Sequence, residues 1–126
     1  MRKLFLLLML SVSMALFPAM HAKADAEFSF EYDNDSKTAT LTKVYYADGL
    51  DVTIPSTVTD EWSGETYTVT KIGKQVFRYY SPVSVTIPET VTVIEDEAFY
   101  ECNKFTSISI PESVTSIGAG AFYNCI

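Results

Sequence analysis

The chain is short and acidic. Its 126 residues carry 16 acidic against nine basic side chains, a formal net charge of −7. A surface of this sign repels phosphate backbones and anionic membranes, so nucleic acid is not an expected partner. The one histidine, His21, lies in an apolar N-terminal stretch. The rest of the chain can therefore build neither a Ser-His-Asp or Cys-His nucleophile nor a metal site that uses histidine.

The first 24 residues are predicted to be a secretory signal peptide. Arg2 and Lys3 precede an apolar run from Leu4 to Phe17, and Ala22–Ala24 has the small-x-small form of a cleavage site. A membrane anchor is the alternative, because the uncharged run approaches the length of a spanning helix. Removal of the peptide leaves six basic and 16 acidic residues, a net charge of −10, in a chain that is not expected to insert into membranes.

Residues 25–49 are predicted to form a β-hairpin. Apolar and polar residues alternate from Phe28 to Tyr32 and, more loosely, from Thr38 to Tyr46. The cluster Asp33–Ser36 between them favours a turn. We expect this hairpin to cap the repeats that follow, because their first strand would otherwise expose an open edge.

From residue 50 onward the chain repeats itself. Three segments recur at an offset of 23 residues: Ile87–Ile94 as Ile110–Ile117, Ala98–Tyr100 as Ala121–Tyr123, and Cys102 as Cys125. A weaker copy begins at Ile54. A fixed period of this length is typical of a solenoid, in which one structural unit stacks on copies of itself. Such an architecture argues against a buried enzyme pocket.

Each repeat is predicted to contain a strand with alternating inward and outward side chains. The inward positions are Phe105, Ile108 and Ile110 in the last repeat and Pro82, Val85 and Ile87 in the one before. Further along each repeat, Val91 and Val114 are expected to re-enter the core. Gly118 is predicted to lie at positive φ. Ala98-Phe99 and Ala121-Phe122 are predicted to sit on a single helical turn that closes the far side.

The first repeat contains an insertion that we interpret as a β-hairpin over residues 59–70. Ser63-Gly64 favours a turn, and alternating Thr, Val, Trp and Tyr residues flank it. Trp62 and Tyr67, on either side of this turn, are candidate ligand contacts, because exposed aromatic side chains are common interface anchors. The alternative is a cross-strand pair that steadies the hairpin itself.

Other groups of residues are also candidate sites. The outward hydroxyls Thr53, Thr86 and Ser109 are further candidate ligand contacts on the strand face. Four tyrosines are predicted on the convex side, either exposed for contact or partly buried between coils: Tyr79, Tyr80, Tyr100 and Tyr123. Cys102 and Cys125 occupy one slot in adjacent coils, which permits a disulfide or two buried free thiols. The acidic cluster Glu95, Asp96, Glu97 and Glu101 is expected to be a solvated face rather than a calcium site.

The run Ile110–Cys125, Ile-Pro-x-x-Val-x-x-Ile-Gly-x-x-Ala-Phe-x-x-Cys, resembles the leucine-rich repeat of the bacterial BspA-like surface proteins. Thr66–Gly73 is similar to their first coil, and the resemblance spans roughly Gly49 to Cys125. It implies a right-handed solenoid, a surface location, adhesion or host-matrix recognition, no cofactor and no catalysis. The chain departs from the family in its shortness, in Tyr80 at the Cys slot and in Pro82 at the leading Leu slot.

The sequence thus predicts a mainly β fold, a right-handed leucine-rich repeat solenoid of about three coils over 50–126 with an N-terminal β-hairpin cap. The expected function is that of a secreted or cell-surface, non-catalytic binding or adhesion module that recognises a protein on a host or neighbouring cell. No catalytic, cofactor-binding or metal-binding residue is expected. The alternatives are a structural N-terminal capping piece of a longer repeat protein and a carbohydrate-binding module. The uncapped C-terminal coil also offers a surface for self-association.

Overall fold

The computed structural model describes residues 25–125, so the predicted signal peptide over 1–24 lies outside it. The described residues form nine strands: β1 Glu27–Asp33, β2 Thr38–Tyr45, β3 Asp51–Thr53, β4 Thr57–Thr59, β5 Thr66–Ile72, β6 Ser84–Thr86, β7 Val93–Ile94, β8 Ser107–Ser109 and β9 Ser116–Ile117. Within that range no helix is long and apolar enough to cross a bilayer.

The strands form two sheets that run along the stack of coils. Sheet A has the order β1-β2-β5-β7-β9, with β4 beside β5, and sheet B has the order β3-β6-β8. Coil 1 contributes β3, β4 and β5, coil 2 contributes β6 and β7, and coil 3 contributes β8 and β9. The predicted mainly β, leucine-rich repeat fold is confirmed.

The parallel registers explain the sequence repeat. In sheet A, Ile72 pairs with Ile94, and Ile94 pairs with Ile117. In sheet B, Val52 pairs with Val85, which pairs with Ile108. Each apolar position therefore meets its own copy in the next coil, and equivalent side chains stack in columns through the core.

The third side of each coil is a stack of turns, and the predicted helical turn is wrong. Amides donate alternately within the coil and to the next coil. Ala98, Tyr100 and Cys102 donate to the carbonyl three residues back, whereas Glu97, Phe99 and Glu101 donate to Ala119, Ala121 and Tyr123 of coil 3. A helix would use all of these amides internally. The alternation instead places Glu97 and Glu101 at positive φ, 54° and 57°.

A column of phenylalanine rings fills the core between the sheets and these turns. Phe99 stacks on Phe77 with ring centroids 4.8 Å apart and on Phe122 at 5.1 Å. Phe77 and Phe99 are fully buried, while Phe122 is partly buried. The predicted inward position of Phe99 and Phe122 therefore agrees with the packing.

The N-terminal hairpin covers one end of the solenoid. β1 and β2 are antiparallel, with a bulge between Ser29 and Phe30. β2 then runs parallel to β5, so that Leu41 pairs with Ile72 and occupies the position of a rung preceding coil 1. The hairpin thus closes the edge of β5 that would otherwise be open to solvent.

Coil 3 is the least covered part of the described chain. Ile110, predicted to point inward, is 40% exposed, and Ile117 is 50% exposed. Their equivalents in coil 2, Ile87 and Ile94, are buried because a described coil lies on both sides of them. Ile110 is therefore more exposed than its equivalent in coil 2, because coil 3 has a described neighbour on one side alone.

Gly118 does not lie at positive φ as predicted; the left-handed position falls on Gly120, at 64°. A Cβ atom at Gly118 would instead collide with the backbone of Glu95 and Asp96 in coil 2. At Gly73, the equivalent position of coil 1, a Cβ atom would lie 2.7 Å from the carbonyl oxygen of Leu41. Both glycines are required by close approach between neighbouring layers of the stack.

Candidate functional site

The inserted segment of coil 1 is an antiparallel hairpin of β4 and β5. Its register pairs Thr57 with Thr68 and Thr59 with Thr66. Residues 60–65 form the turn, and Gly64 supplies a positive φ of 71°. The turn projects from sheet A, where β4 pairs with β5 alone.

Asp60 organises this turn from a buried position. Its carboxylate accepts hydrogen bonds from the Trp62 amide at 3.1 Å and the Ser63 hydroxyl at 2.7 Å. Its backbone amide donates to Glu65 O at 2.9 Å, and Gly64 N donates back to Asp60 O at 2.8 Å. Asp60 is 2% exposed, so these bonds are shielded from competing water. These four hydrogen bonds stabilise the turn.

Trp62 lies at the outer end of this turn and is 83% exposed. This is the chain's only tryptophan. Its ring makes no aromatic contact with other described residues, so the predicted cross-strand pair with Tyr67 is absent. Most of the indole surface is therefore open to solvent at the end of a hydrogen-bonded turn.

Tyr67, the other predicted aromatic contact of the hairpin, is buried, and its assignment as a ligand contact is wrong. Tyr67 lies within β5, where Thr66 and Thr68 point outward and Tyr67 inward with Val69. Its ring packs 4.6 Å from that of Tyr32 in the cap. Two acceptors, Asn34 Oδ1 and Glu65 Oε2, lie within hydrogen-bonding distance of its single phenol proton. The residue fixes the hairpin to the cap.

A second link between hairpin and cap lies at the surface. Lys37 Nζ lies 2.7 Å from Glu65 Oε2. The hydrogen bond from Lys37 lowers the pKa of Glu65 most, and the hydrogen bond from Tyr67 lowers it further. The same contact with Glu65 raises the pKa of Lys37. Because both side chains are about half exposed, the pair contributes little stability. The contact joins Lys37 of the cap to Glu65 at the base of the turn.

The predicted hydroxyl row is present on sheet B. Thr53 pairs with Thr86, and Thr86 pairs with Ser109, all three exposed. Thr86 and Ser109, but not Thr53, border a shallow groove of about 430 Å³, which is lined by Ser84, Val85, Thr86, Ile87, Glu89, Ser107, Ser109 and Pro111. The groove offers hydrogen bonds and little apolar area. Trp62 belongs to the other sheet, so the predicted contacts fall on two separate surfaces.

The acidic cluster of coil 2 joins coils together and is not simply solvated. Glu95 Oε2 accepts from the Lys74 amide at 3.0 Å, and Asp96 Oδ1 from the Ala119 amide at 2.9 Å. Glu97 pairs with Arg78 at 3.2 Å. Residues 25–125 contain no group of three His, Cys, Asp or Glu placed to hold a metal ion.

Both cysteines are free thiols. Cys102 Sγ donates to Phe77 O at 3.1 Å, and Cys125 Sγ donates to Phe99 O at 2.8 Å. Each thiol thus caps a carbonyl of the preceding coil. Burial raises the pKa of Cys102 to about 12 and also raises that of Cys125, so neither is an activated nucleophile.

Sequence reasoning missed two residues that shape these surfaces. Asp60 was detectable from its spacing to Ser63, which is typical of side-chain-capped turns. Arg78 was detectable from the repeat, because it occupies the slot of Tyr100 and Tyr123 beside the stacked phenylalanines. Its guanidinium lies 4.9 Å from the ring of Tyr79 and 5.0 Å from that of Tyr100.

Two sheets in which successive coils pair in parallel, together with a ladder of turns, define a leucine-rich repeat solenoid. Residues 67–126 match the model of the BspA type leucine rich repeat region. The chain belongs to this family of bacterial leucine-rich repeat proteins. Among proteins with curated descriptions, none matches the chain by sequence.

Crystal structures that are similar to the chain include three bacterial leucine-rich repeat proteins. A leucine-rich repeat protein from Bacteroides capillosus is 36% identical over 75% of this chain and 69% of its own, with a TM-score of 0.69. A leucine rich cell surface protein from Faecalibacterium prausnitzii is 38% identical over 78% of this chain, TM-score 0.66. A leucine-rich repeat protein from Bacteroides ovatus is 29% identical over 78%, TM-score 0.66. The chain spans 26% of each of the latter two.

Proposed function

We propose that this chain is an exported, cell-surface or secreted module that binds a protein partner and has no catalytic role. The observation that carries the proposal is the exposed Trp62 on a turn fixed by the buried Asp60. The apolar N-terminal segment with its cleavage pattern supports export. Similarity to a structure described as a cell surface protein supports the location.

Burial of Trp62 would supply much of the binding energy. A tryptophan side chain buries roughly 150–250 Å² at an interface, and such anchors often contribute about 2 kcal/mol or more. The hydrogen bonds of Asp60 fix the turn before binding, so little conformational entropy is lost on association. The hydroxyl groove on sheet B lacks an anchor of this kind.

The experiment compares Trp62→Ala with Tyr46→Ala for binding to immobilised cell-surface proteins. Tyr46 is a matched control, because it is also an exposed aromatic residue, at 67%, and lies outside the inserted hairpin of coil 1. Trp62→Ala should weaken binding by roughly tenfold or more, and Tyr46→Ala should leave it unchanged. Protease treatment of the immobilised extract should abolish binding. If glycan removal abolishes it instead, the protein binds carbohydrate.

A structural role as the first unit of a longer repeat array is the second candidate. It is favoured by the exposed apolar side chains of coil 3, Ile110 and Ile117, and by the greater length of two of the similar proteins. Under this role, the intact chain should bind no surface protein. A designed repeat fused after residue 126 should raise its melting temperature.

A further inference from the structure

The stacked turns place two columns of side chains next to each other on the surface. Positive φ values mark equivalent slots: 67° at Tyr79, 57° at Glu101 and 53° at Asn124. These three residues form one column. The residue before each of them forms the neighbouring column: Arg78, Tyr100 and Tyr123. Glu101 therefore lies between Tyr79 and Asn124 along its column and beside the ring of Tyr100.

The aromatic rings of the two columns form a continuous strip. Tyr100 and Tyr123 are stacked, with centroids 5.0 Å apart and planes 14° from parallel. Tyr79 meets Tyr100 edge-on at 6.0 Å. Tyr79 and Tyr123 remain 61% and 59% exposed. Tyr79 in coil 1 and Tyr123 in coil 3 thus present ring surface to solvent, on either side of the more covered Tyr100.

The strip already binds one guanidinium, that of Arg78. This group contacts the rings of Tyr79 and Tyr100 and lies 3.2 Å from the Glu97 carboxylate. Its NH2 donates to the Tyr79 hydroxyl at 3.1 Å. Stacking on aromatic faces together with pairing to a carboxylate is the environment that arginine favours. The contacts of Arg78 in coil 1 thus indicate that a guanidinium is a suitable ligand group for these tyrosines.

Glu101 supplies a second carboxylate that is not satisfied in the same way. The residue is partly buried, yet its carboxylate makes no hydrogen bond or ion pair with the residues that the structure describes. Burial raises the pKa of the Tyr100 phenol most, and the nearby Glu101 carboxylate raises it further. The other three members of the acidic cluster are engaged between coils. Within the cluster, Glu101 is thus the carboxylate left to face an incoming cation.

Tyr79 occupies its slot against local preference. A bulky residue at positive φ is disfavoured, whereas Asn124 in the same slot tolerates it. The ladder of turns holds this conformation, because Tyr79 N donates to Tyr100 O just as Glu101 N donates to Tyr123 O. Asparagine is therefore a substitution that this slot accommodates.

We propose that Tyr79, Tyr100, Tyr123 and the Glu101 carboxylate form a recognition surface for an arginine side chain of a partner protein. The inference rests on the proposed role in protein binding but does not depend on Trp62. The six basic and 16 acidic residues of the described range give that part of the chain a net charge of −10, which favours a basic partner segment. The rings stack on the guanidinium, and Glu101 pairs with it.

The test is an amide NMR titration at low salt with the capped pentapeptide Gly-Gly-Arg-Gly-Gly. Shifts should be confined to residues of the strip. The isosteric but neutral citrulline peptide should cause none. Glu101→Gln should weaken binding of the arginine peptide roughly threefold or more. The control is Glu112→Gln, which removes an exposed carboxylate of coil 3 outside the strip and should leave binding unchanged.

Two further variants keep the outcome interpretable. Tyr79→Asn replaces the strained residue with one suited to positive φ, so it should keep the fold and still weaken peptide binding. Trp62→Ala should leave peptide binding unchanged, which separates this surface from the hairpin. Equal shifts from the citrulline peptide, an unaltered affinity of Glu101→Gln, or shifts of the strip by a neutral oligosaccharide alone would overturn the proposal.

Discussion

The ring of Phe99 lies 4.8 Å from that of Phe77, with the planes 12° from parallel. The two residues occupy the same slot of consecutive coils, 22 positions apart in the sequence. Because Phe122 covers the other face of Phe99, the middle ring has no access to solvent. This sandwich ties the three coils to one another through a single residue.

Phe99→Ala should therefore nearly unfold the domain. Truncation of a buried phenylalanine costs about 3–5 kcal/mol, a large part of the roughly 5–15 kcal/mol that stabilises a domain of this kind. Phe122→Ala should cost less, because the Phe122 ring is covered on one face. Tyr100→Ala, next to Phe99 on the surface, should cost about 1–2 kcal/mol. Urea unfolding checks the order, and equal losses for Phe99→Ala and Tyr100→Ala would contradict the packing.

Coil 3 should exchange its amides faster than coil 2. Gly118 N donates to Ile94 O just as Glu95 N donates to Ile72 O, so the two bonds are equivalent apart from their position in the stack. Ile117 is half exposed whereas Ile94 is buried, so local opening costs less in coil 3. Hydrogen exchange at these two amides makes the comparison. Equal protection would point to an additional surface that covers coil 3.

Asp60→Ala should destabilise the hairpin turn and release Trp62. The substitution removes the acceptor of the Trp62 amide and of the Ser63 hydroxyl from a buried site. We expect a loss of about 1–3 kcal/mol and a fall in tryptophan fluorescence anisotropy. Glu61→Ala, an exposed neighbour in the same turn, is the control and should change neither. An unchanged anisotropy in Asp60→Ala would show that the turn does not depend on this carboxylate.

The thiols should resist modification in the folded state. Burial raises the pKa of Cys102 from 9.0 to about 12, and that of Cys125 also rises. The folded chain binds the thiol protons more tightly than the unfolded chain does. The contribution of the thiols to the free energy of unfolding is therefore fully present below about pH 9 and is lost as the pH rises toward 12. A thiol reagent at pH 8 should react with Cys125, which is partly exposed, before Cys102. Rapid reaction of both would contradict their burial.

The repeat in the sequence was sufficient to predict the fold, because few architectures besides a solenoid bring equivalent residues into register at a fixed period. Thr53, Thr86 and Ser109 were placed correctly for the same reason. The errors lie where partners come from outside the repeat. Tyr67 was predicted to be exposed, whereas its ring is buried against Tyr32 of the cap. The sequence could not reveal this contact, because the cap lies outside the repeat and has no fixed spacing to the inserted hairpin.

The turn side shows a second limit. Ala98-Phe99 suits a helical turn by composition, but amides that would close it are bonded to coil 3 instead. Gly118 was expected to supply an unusual φ, whereas the need is for space against Glu95 and Asp96. In both cases the deciding interaction joins coils and cannot be read from one repeat alone.

The contact at Trp62 is the central claim, and the single tryptophan allows a direct measurement. The chain labelled with 5-fluorotryptophan gives one fluorine NMR signal, because no other residue takes the label. Addition of the cell-surface protein fraction should shift and broaden this signal as the indole becomes buried, and protease treatment of that fraction should restore it. A signal that stays unchanged while sedimentation shows a complex would contradict the claim.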